Sequence, residues 1–359
     1  MVIPEKAFFP VHSENLEDIL KAIKGTINLR IREEKCLEYA LKFKERCAKF
    51  DCSPLIDLDV QLIVPFLSEI TELELYCDAF DSIGWNSFFS AISRTSDLKL
   101  RILKIHLPKP LRLGYLGLSM GITERFQSNE MYGEIFGDMD PETFANAVCR
   151  LSEVSFMFVE TNHIIKLFET ILNNDVNLKK LVLVCKEQER FHTPLIDVPS
   201  KTLASAICKL TSVKIKLQFS DNLVQLFETI GGMDKDGLKL RNLFLYKLNP
   251  SKWEKLDPNV FAMAACKIRN LHICRKITPS QHCHLLEKIG KSQSSLVLQS
   301  LKLGGFFKTS PKIVADAAVK LASFDSYVNN KQATAILDNI CNNGNKVKIR
   351  NVLKKSSYN

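Results

Sequence analysis

The densest group of side chains able to bind a metal or move protons is His282-Cys283-His284. A metal helix needs its histidines on one face, as at a spacing of four. Here the spacing is two inside a helical apolar pattern, so the imidazoles point to different faces and no shared metal is expected. The 11 cysteines include no Cys-x-x-Cys pair, and no His-Glu-x-x-His occurs. Cys149, Cys208 and Cys266 recur at intervals of 59 and 58 residues, and Val319 takes the next such place. A nucleophilic thiol needs a fixed base or cationic field. One that recurs in register and then becomes valine reads as a small buried apolar group. Gly231-Gly232 and Gly304-Gly305 lack the Lys-Ser/Thr sequel of a phosphate cradle and read as turns. No arginine or asparagine is marked out for phosphoryl transfer. The expectation is no enzyme, no cofactor and no metal.

Lys and Arg exceed Asp and Glu by 49 to 40 in 359 residues, for a formal charge of +9. Lys346, Lys348, Arg350, Lys354 and Lys355 supply +5 of it between Cys341 and Asn359, where no acid occurs. No aromatic residues interleave with them in the manner of a single-strand binding surface, so nucleic acid is not an expected partner. Glu5, Lys6, Pro10 and Glu14 interrupt any signal-peptide core, and no apolar run reaches membrane-spanning length. Asn249-Pro250-Ser251 is blocked as a glycosylation site by its proline. With an odd number of scattered cysteines, the expectation is a cytoplasmic protein, with the nucleus as alternative.

What must position any site is a repeat. Phe144-Ala-Asn-Ala-Val-Cys-Arg-Leu151 returns as Leu203–Leu210, Phe261–Ile268 and Val314–Leu321, with Ile63–Ile70 as an earlier, weaker copy. Apolar residues fall at i, i+3, i+4 and i+7, one face of a short helix. Asp140-Pro141, Asp257-Pro258 and Ser310-Pro311 supply an N-cap and a proline at the first helical position. Val198-Pro199 lacks the cap, and Ser200 is expected to serve instead. A second helix phrase alternates with the first, at Trp85–Ile92, Ile164–Ile171, Leu223–Ile230, His282–Ile289 and Ala333–Ile340. Ile171, Ile230 and Ile289 are 59 and 59 residues apart, which gives about 29 residues per unit.

Each helix leads into a short run of period 2, as a half-buried strand requires. The runs are Leu73–Leu75, Leu103–Ile105, Val154–Phe156, Leu181–Leu183, Val213–Ile215, Leu243–Leu245, Leu271–Ile273, Leu301–Leu303, Phe324–Ser326 and Val352–Lys354. These helix–strand units resemble leucine-rich repeats of the ribonuclease-inhibitor-like type, from about Leu55 to Leu353. The resemblance implies an α/β solenoid, a horseshoe with a parallel sheet on its concave face and helices on its convex face. The family places Asn or Cys a few residues past each strand. Here those places hold Asp78, Pro108, Val159, Lys186, Gln218, Leu248, Lys276, Phe306 and Asn329, so its asparagine ladder is largely missing.

The expected organisation is a helical cap over 1–54, about ten repeat units over 55–353, and a basic tail over 354–359. The cap is expected from Leu16/Ile19/Leu20/Ile23 and a charged helix near Glu33–Phe50. A glycine-rich loop is inserted near 108–137. The resemblance implies a non-enzymatic scaffold that binds a protein on its concave face. The alternatives are a substrate-receptor adaptor of a ubiquitin ligase and the sensor part of an innate-immune receptor system. Strand residues flanking the inward leucines must face away from the helices. Lys104, Lys214, Lys216 and Lys302 are therefore expected around Phe244 and Tyr246, with His106 and His272, as a surface for an acidic protein partner.

Overall fold

A computed structural model of the chain describes residues 9–11, 27–52, 55, 57–76, 79–106, 139–156, 161–183, 195, 198–217, 220–234, 237–246, 250–274, 277–292, 296–306, 309–327 and 329–342. The expected pattern at Leu16–Ile23, the 108–137 insertion, the strand at Val352–Lys354 and the basic tail lie outside these residues. The chain forms two compact units, Met1–Pro194 and Leu195–Asn359. Both are α/β and repeat a strand followed by a helix. Among the described residues, no helix is long and apolar enough to cross a membrane.

The first unit carries parallel strands β1 (Phe9–Val11), β2 (Ile27–Ile31), β3 (Cys47–Asp51), β4 (Glu72–Tyr76), β5 (Ile102–His106), β6 (Glu153–Phe156) and β7 (Lys180–Leu183), paired in sequence order. Its register stacks Leu29, Phe50, Leu73, Leu103, Val154 and Leu181 in one buried row. The second unit has β8 (Ser212–Ile215), β9 (Asn242–Leu245), β10 (Asn270–Ile273), β11 (Ser300–Phe306) and β12 (Ser323–Tyr327), again parallel and sequential. Val213, Leu243, Leu271 and Leu301 form its corresponding buried row. Alternation within each strand turns one face to the core and the other outward, as the period of 2 predicts.

Among the described residues the helices are α1 (Lys35–Leu41), α2 (Val60–Ile63), α3 (Ser82–Arg94), α4 (Pro141–Arg150), α5 (Thr161–Asn173), α6 (Ser200–Lys209), α7 (Ser220–Gly232), α8 (Pro258–Ala265), α9 (Pro279–Lys291), α10 (Pro311–Ala318) and α11 (Asn330–Asn342). Those from α3 onward follow the two phrases, whereas the weak copy at Ile63–Ile70 is a 3-10 turn over Val64–Phe66 after α2. Asp140 and Asp257 accept two backbone N–H groups each at the starts of α4 and α8. Ser310 makes no such bond. Ser200 does not cap α6 either; its hydroxyl donates to Asn222 Oδ1 while Pro199 holds the cap position.

The charged helix expected near Glu33–Phe50 is broken up. There the described residues form a helix at Lys35–Leu41, a 3-10 turn at Lys44–Arg46 and strands at 27–31 and 47–51. Leu29 to Phe50 is 21 residues and Phe50 to Leu73 is 23. Units this short have no room for the full helix phrase, so the period that betrays the later repeats is absent from their sequence.

Two polar devices recur with the repeat. His163, Asn222, Gln281 and Gln332 each occupy the third position of a second-type helix, and all are buried. His163 Nε2 is 2.9 Å from Met139 O, Asn222 Nδ2 donates to Leu195 O at 3.4 Å, Gln281 Nε2 to Trp253 O at 2.6 Å and Leu256 O at 2.9 Å, and Gln332 Nε2 to Thr309 O at 2.7 Å. Each thus ties its helix to the chain just before the preceding first-type helix. Carbonyls in those connections obtain the partners that burial demands. The second device is the basic residue of the helix phrase. Arg150 donates to the carbonyls of Ile92, Ser93 and Thr95, and Lys267 to those of Gly231 and Met233. Both cations sit on the C-terminal end of the preceding helix, where orphan carbonyls and the dipole favour positive charge.

Candidate functional site

On the second unit, parallel register lines up the outward side chains of successive strands. Ser212, Asn242, Asn270, Ser300 and Ser323 form one row. Lys214, Phe244, His272, Lys302 and Asp325 form the next. Tyr246 and Cys274 continue the surface at the strand ends, their N–H groups bonded to Ile215 O and Leu245 O. The first row is uncharged and self-bonded in part, with Asn270 Nδ2 donating to Asn242 Oδ1. The second carries charge and aromatic surface together. The Phe244 and His272 rings meet edge to face at 5.7 Å, and Lys214 Nζ lies 5.7 Å from the Tyr246 ring centroid. Lys302 reaches Asp325 at 2.6 Å.

His272 Nε2 and Cys274 Sγ are 3.5 Å apart. Burial and the nearby Lys302 and Lys214 charges lower the His272 pKa, against Asp325. Burial raises that of Cys274 over the opposing pull of Lys214 and Lys302. The pair therefore rests as neutral imidazole and neutral thiol, the opposite of the thiolate that nucleophilic attack requires. What the arrangement does offer is hydrogen-bonding side chains beside aromatic faces, with lysines at the margin.

Of the residues singled out from sequence, Lys214, Phe244, Tyr246, His272 and Lys302 lie on this face. Lys216 follows directly after β8 and is half-buried. Lys104 and His106 belong to the first unit, and their surroundings differ. Lys104 bridges Glu72 and Glu74, the latter at 3.1 Å, and Lys49 binds the same two carboxylates at 2.6 and 2.8 Å. His106 Nε2 is 3.4 Å from Glu74. His106, then Lys49 and Lys104, hold the Glu74 carboxyl far below its usual range despite burial. Burial works against the Lys104 charge, but Glu72 and Glu74 outweigh it and raise its pKa. Lys180 pairs with Glu153 at 2.6 Å on the same sheet. Of the expected lysines, Lys214 lies over the Tyr246 ring and Lys302 stands in the same row, whereas Lys104 belongs to a network that neutralises itself.

The uncharged row was missed in the sequence. Its signal is the slot after the basic or amide residue ending each strand lead-in: Arg241-Asn242, Arg269-Asn270, Gln299-Ser300. The thiols divide. Cys149 and Cys208 are buried, with pKa values pushed up to about 12 by desolvation. Cys266 is half-buried, because α8 ends one residue before it, and burial raises it to about 11. His282 is buried and His284 exposed, as their spacing predicts. Compared with known proteins, the chain matches no family model, and no curated protein matches it.

Proposed function

We propose that the protein is a non-enzymatic recognition scaffold of the leucine-rich-repeat, ribonuclease-inhibitor-like type. Its partner is a protein segment bound on the outward sheet face of residues 195–359, the face that is concave in solenoids of this type. The observation that carries the reading is the in-register band Lys214–Phe244–His272–Lys302 beside the row of Ser and Asn side chains. Aromatic surface flanked by groups that hydrogen-bond is where interfaces concentrate their energy. Lysine outnumbers acid on this band, which favours an acidic partner. The unit spacing supports the repeat type: Val213 to Leu243 is 30 residues and Leu243 to Leu271 is 28, close to the upper end of the range for such repeats.

The test is affinity purification with the full chain, followed by titration of whichever protein is recovered. Phe244→Ala combined with Tyr246→Ala should weaken binding by about 2 kcal/mol or more. Lys214→Glu should chiefly slow association at low salt. Binding that survives all three changes but is lost on trimming 108–137 would move the site off this face.

A further inference from the structure

On the helical side of the second unit, α8 and α9 leave a cleft of about 540 Å³ between them. Its floor is apolar. Met263 is 48 % exposed there, beside half-buried Val297 and the Cys266 thiol. Met side chains in this setting adapt to varied apolar partners. The rim is cationic: Lys267, Lys288 and Lys291 line it, against the single carboxylate of Glu287. Lys267 donates to the Gly231 and Met233 carbonyls, which occupy two of its three donors and leave its charge. Glu287 is shared between Lys291 at 3.1 Å and the Cys283 thiol at 3.4 Å. Lys288 is exposed, and its charge is felt at the Cys266 thiol across the cleft.

We propose that this cleft is a second docking site, taking a short acidic segment of a partner protein. One apolar side chain of that segment would rest on Met263 and Val297, with flanking carboxylates meeting Lys288 and Lys291. The volume is that of sites able to hold a few side chains. A small free anion would leave the apolar floor uncovered, and among the described lining residues the one ring is the His284 imidazole, so the cleft offers no row of aromatic faces for successive nucleic-acid bases to stack on. A second copy of this chain, at formal charge +9, would bring further positive charge to a positive rim. The site stands apart from the sheet face and does not depend on the reading given for it.

The experiment is a selection of short linear peptides from a displayed library, using the full chain with Phe244→Ala, Tyr246→Ala and Lys214→Glu in place so that the sheet face is impaired for acidic ligands. Enriched peptides should carry acids around an apolar residue. Made synthetically, they should slow alkylation of Cys266, read by mass spectrometry, while leaving exposed Cys341 unchanged. Binding should weaken at least tenfold in Lys288→Glu, tenfold or more in Met263→Glu, and with rising salt. Both positions are open to solvent, so thermal melts of the variants should match the parent. Lys288→Glu serves alone if Met263→Glu does not. The proposal is overturned if no peptide is enriched, if those enriched are neutral or basic, or if binding ignores both substitutions and leaves Cys266 as reactive as before. It is equally overturned if Met263→Glu abolishes self-association of the parent, which would make the occupant a second copy.

Discussion

His282 packs in α9 at 2 % exposure, with Nδ1 2.7 Å from Thr309 Oγ1. Burial disfavours its charged form and lowers its pKa from 6.5 to about 4. An unfolded chain would protonate the ring first as pH falls, so the neutral ring costs nothing above pH 6.5. Stability is then lost from about 6.5 down to about 4, where the folded state also takes the proton. The total is about 3 kcal/mol. Denaturant midpoints measured from neutral pH to pH 4 should fall in the parent, and the fall should shrink in His282→Gln. Equal slopes in the two proteins would show that the ring does not titrate this way. Its neighbour two residues on, His284, is exposed with Nδ1 2.8 Å from Ser280 O. The residue scale was legible here because helix geometry alone separates i from i+2. The half-burial of Cys266 was not, since it depends on where α8 frays.

At the scale of elements, the apolar phrases located the helices and strands, and the polar residues that fasten them went unread. His163, Asn222 and Gln281 recur at 59-residue intervals like the isoleucines of the same helices. Their types differ, and each can donate to a carbonyl, so identity hides what position shares. They supply partners to buried backbone in the connections. Asn329 acts locally, its Oδ1 accepting the Gln332 N–H at 2.8 Å at the start of α11. Gln281 is the most committed clamp: besides its two carbonyl bonds, its Oε1 accepts the Thr278 N–H at 3.1 Å. Gln281→Leu would leave the Trp253 and Leu256 carbonyls without this donor, at a cost of about 2–3 kcal/mol. Gln281→Glu should be worse, because a carboxylate oxygen would face the same carbonyls. Chemical denaturation of the two variants checks this, and a Leu variant as stable as the parent would remove the clamp from the account.

At the scale of the molecule, each unit has nearest-neighbour order: strands pair in sequence and helices pack in sequence. The repeats with a full helix phrase were legible because burial of one helix face repeats every 3.6 residues and of one strand face every 2. The short N-terminal units escaped, since strands such as Cys47–Asp51 mix charge with apolar residues and bury Asp51 beside Arg30 at 2.7 Å. Nearest-neighbour order also decides how damage spreads. Ile230 is fully buried near the end of α7, and Phe227 of the same helix meets Phe261 of α8 at 5.0 Å. No repeat closes its own core, so stability lies in the interfaces as much as in the units. Ile230→Asp places an unpaired charge in such an interface, at a cost of several kcal/mol. Hydrogen exchange should therefore rise in α6 and α8 as well as in α7. Ile83→Asp, at a position 73 % exposed on the outer side of α3, is the control and should leave exchange unchanged. Exchange confined to 220–232 in the Ile230→Asp protein would mean that each repeat holds itself together, and the solenoid reading of this unit would fail.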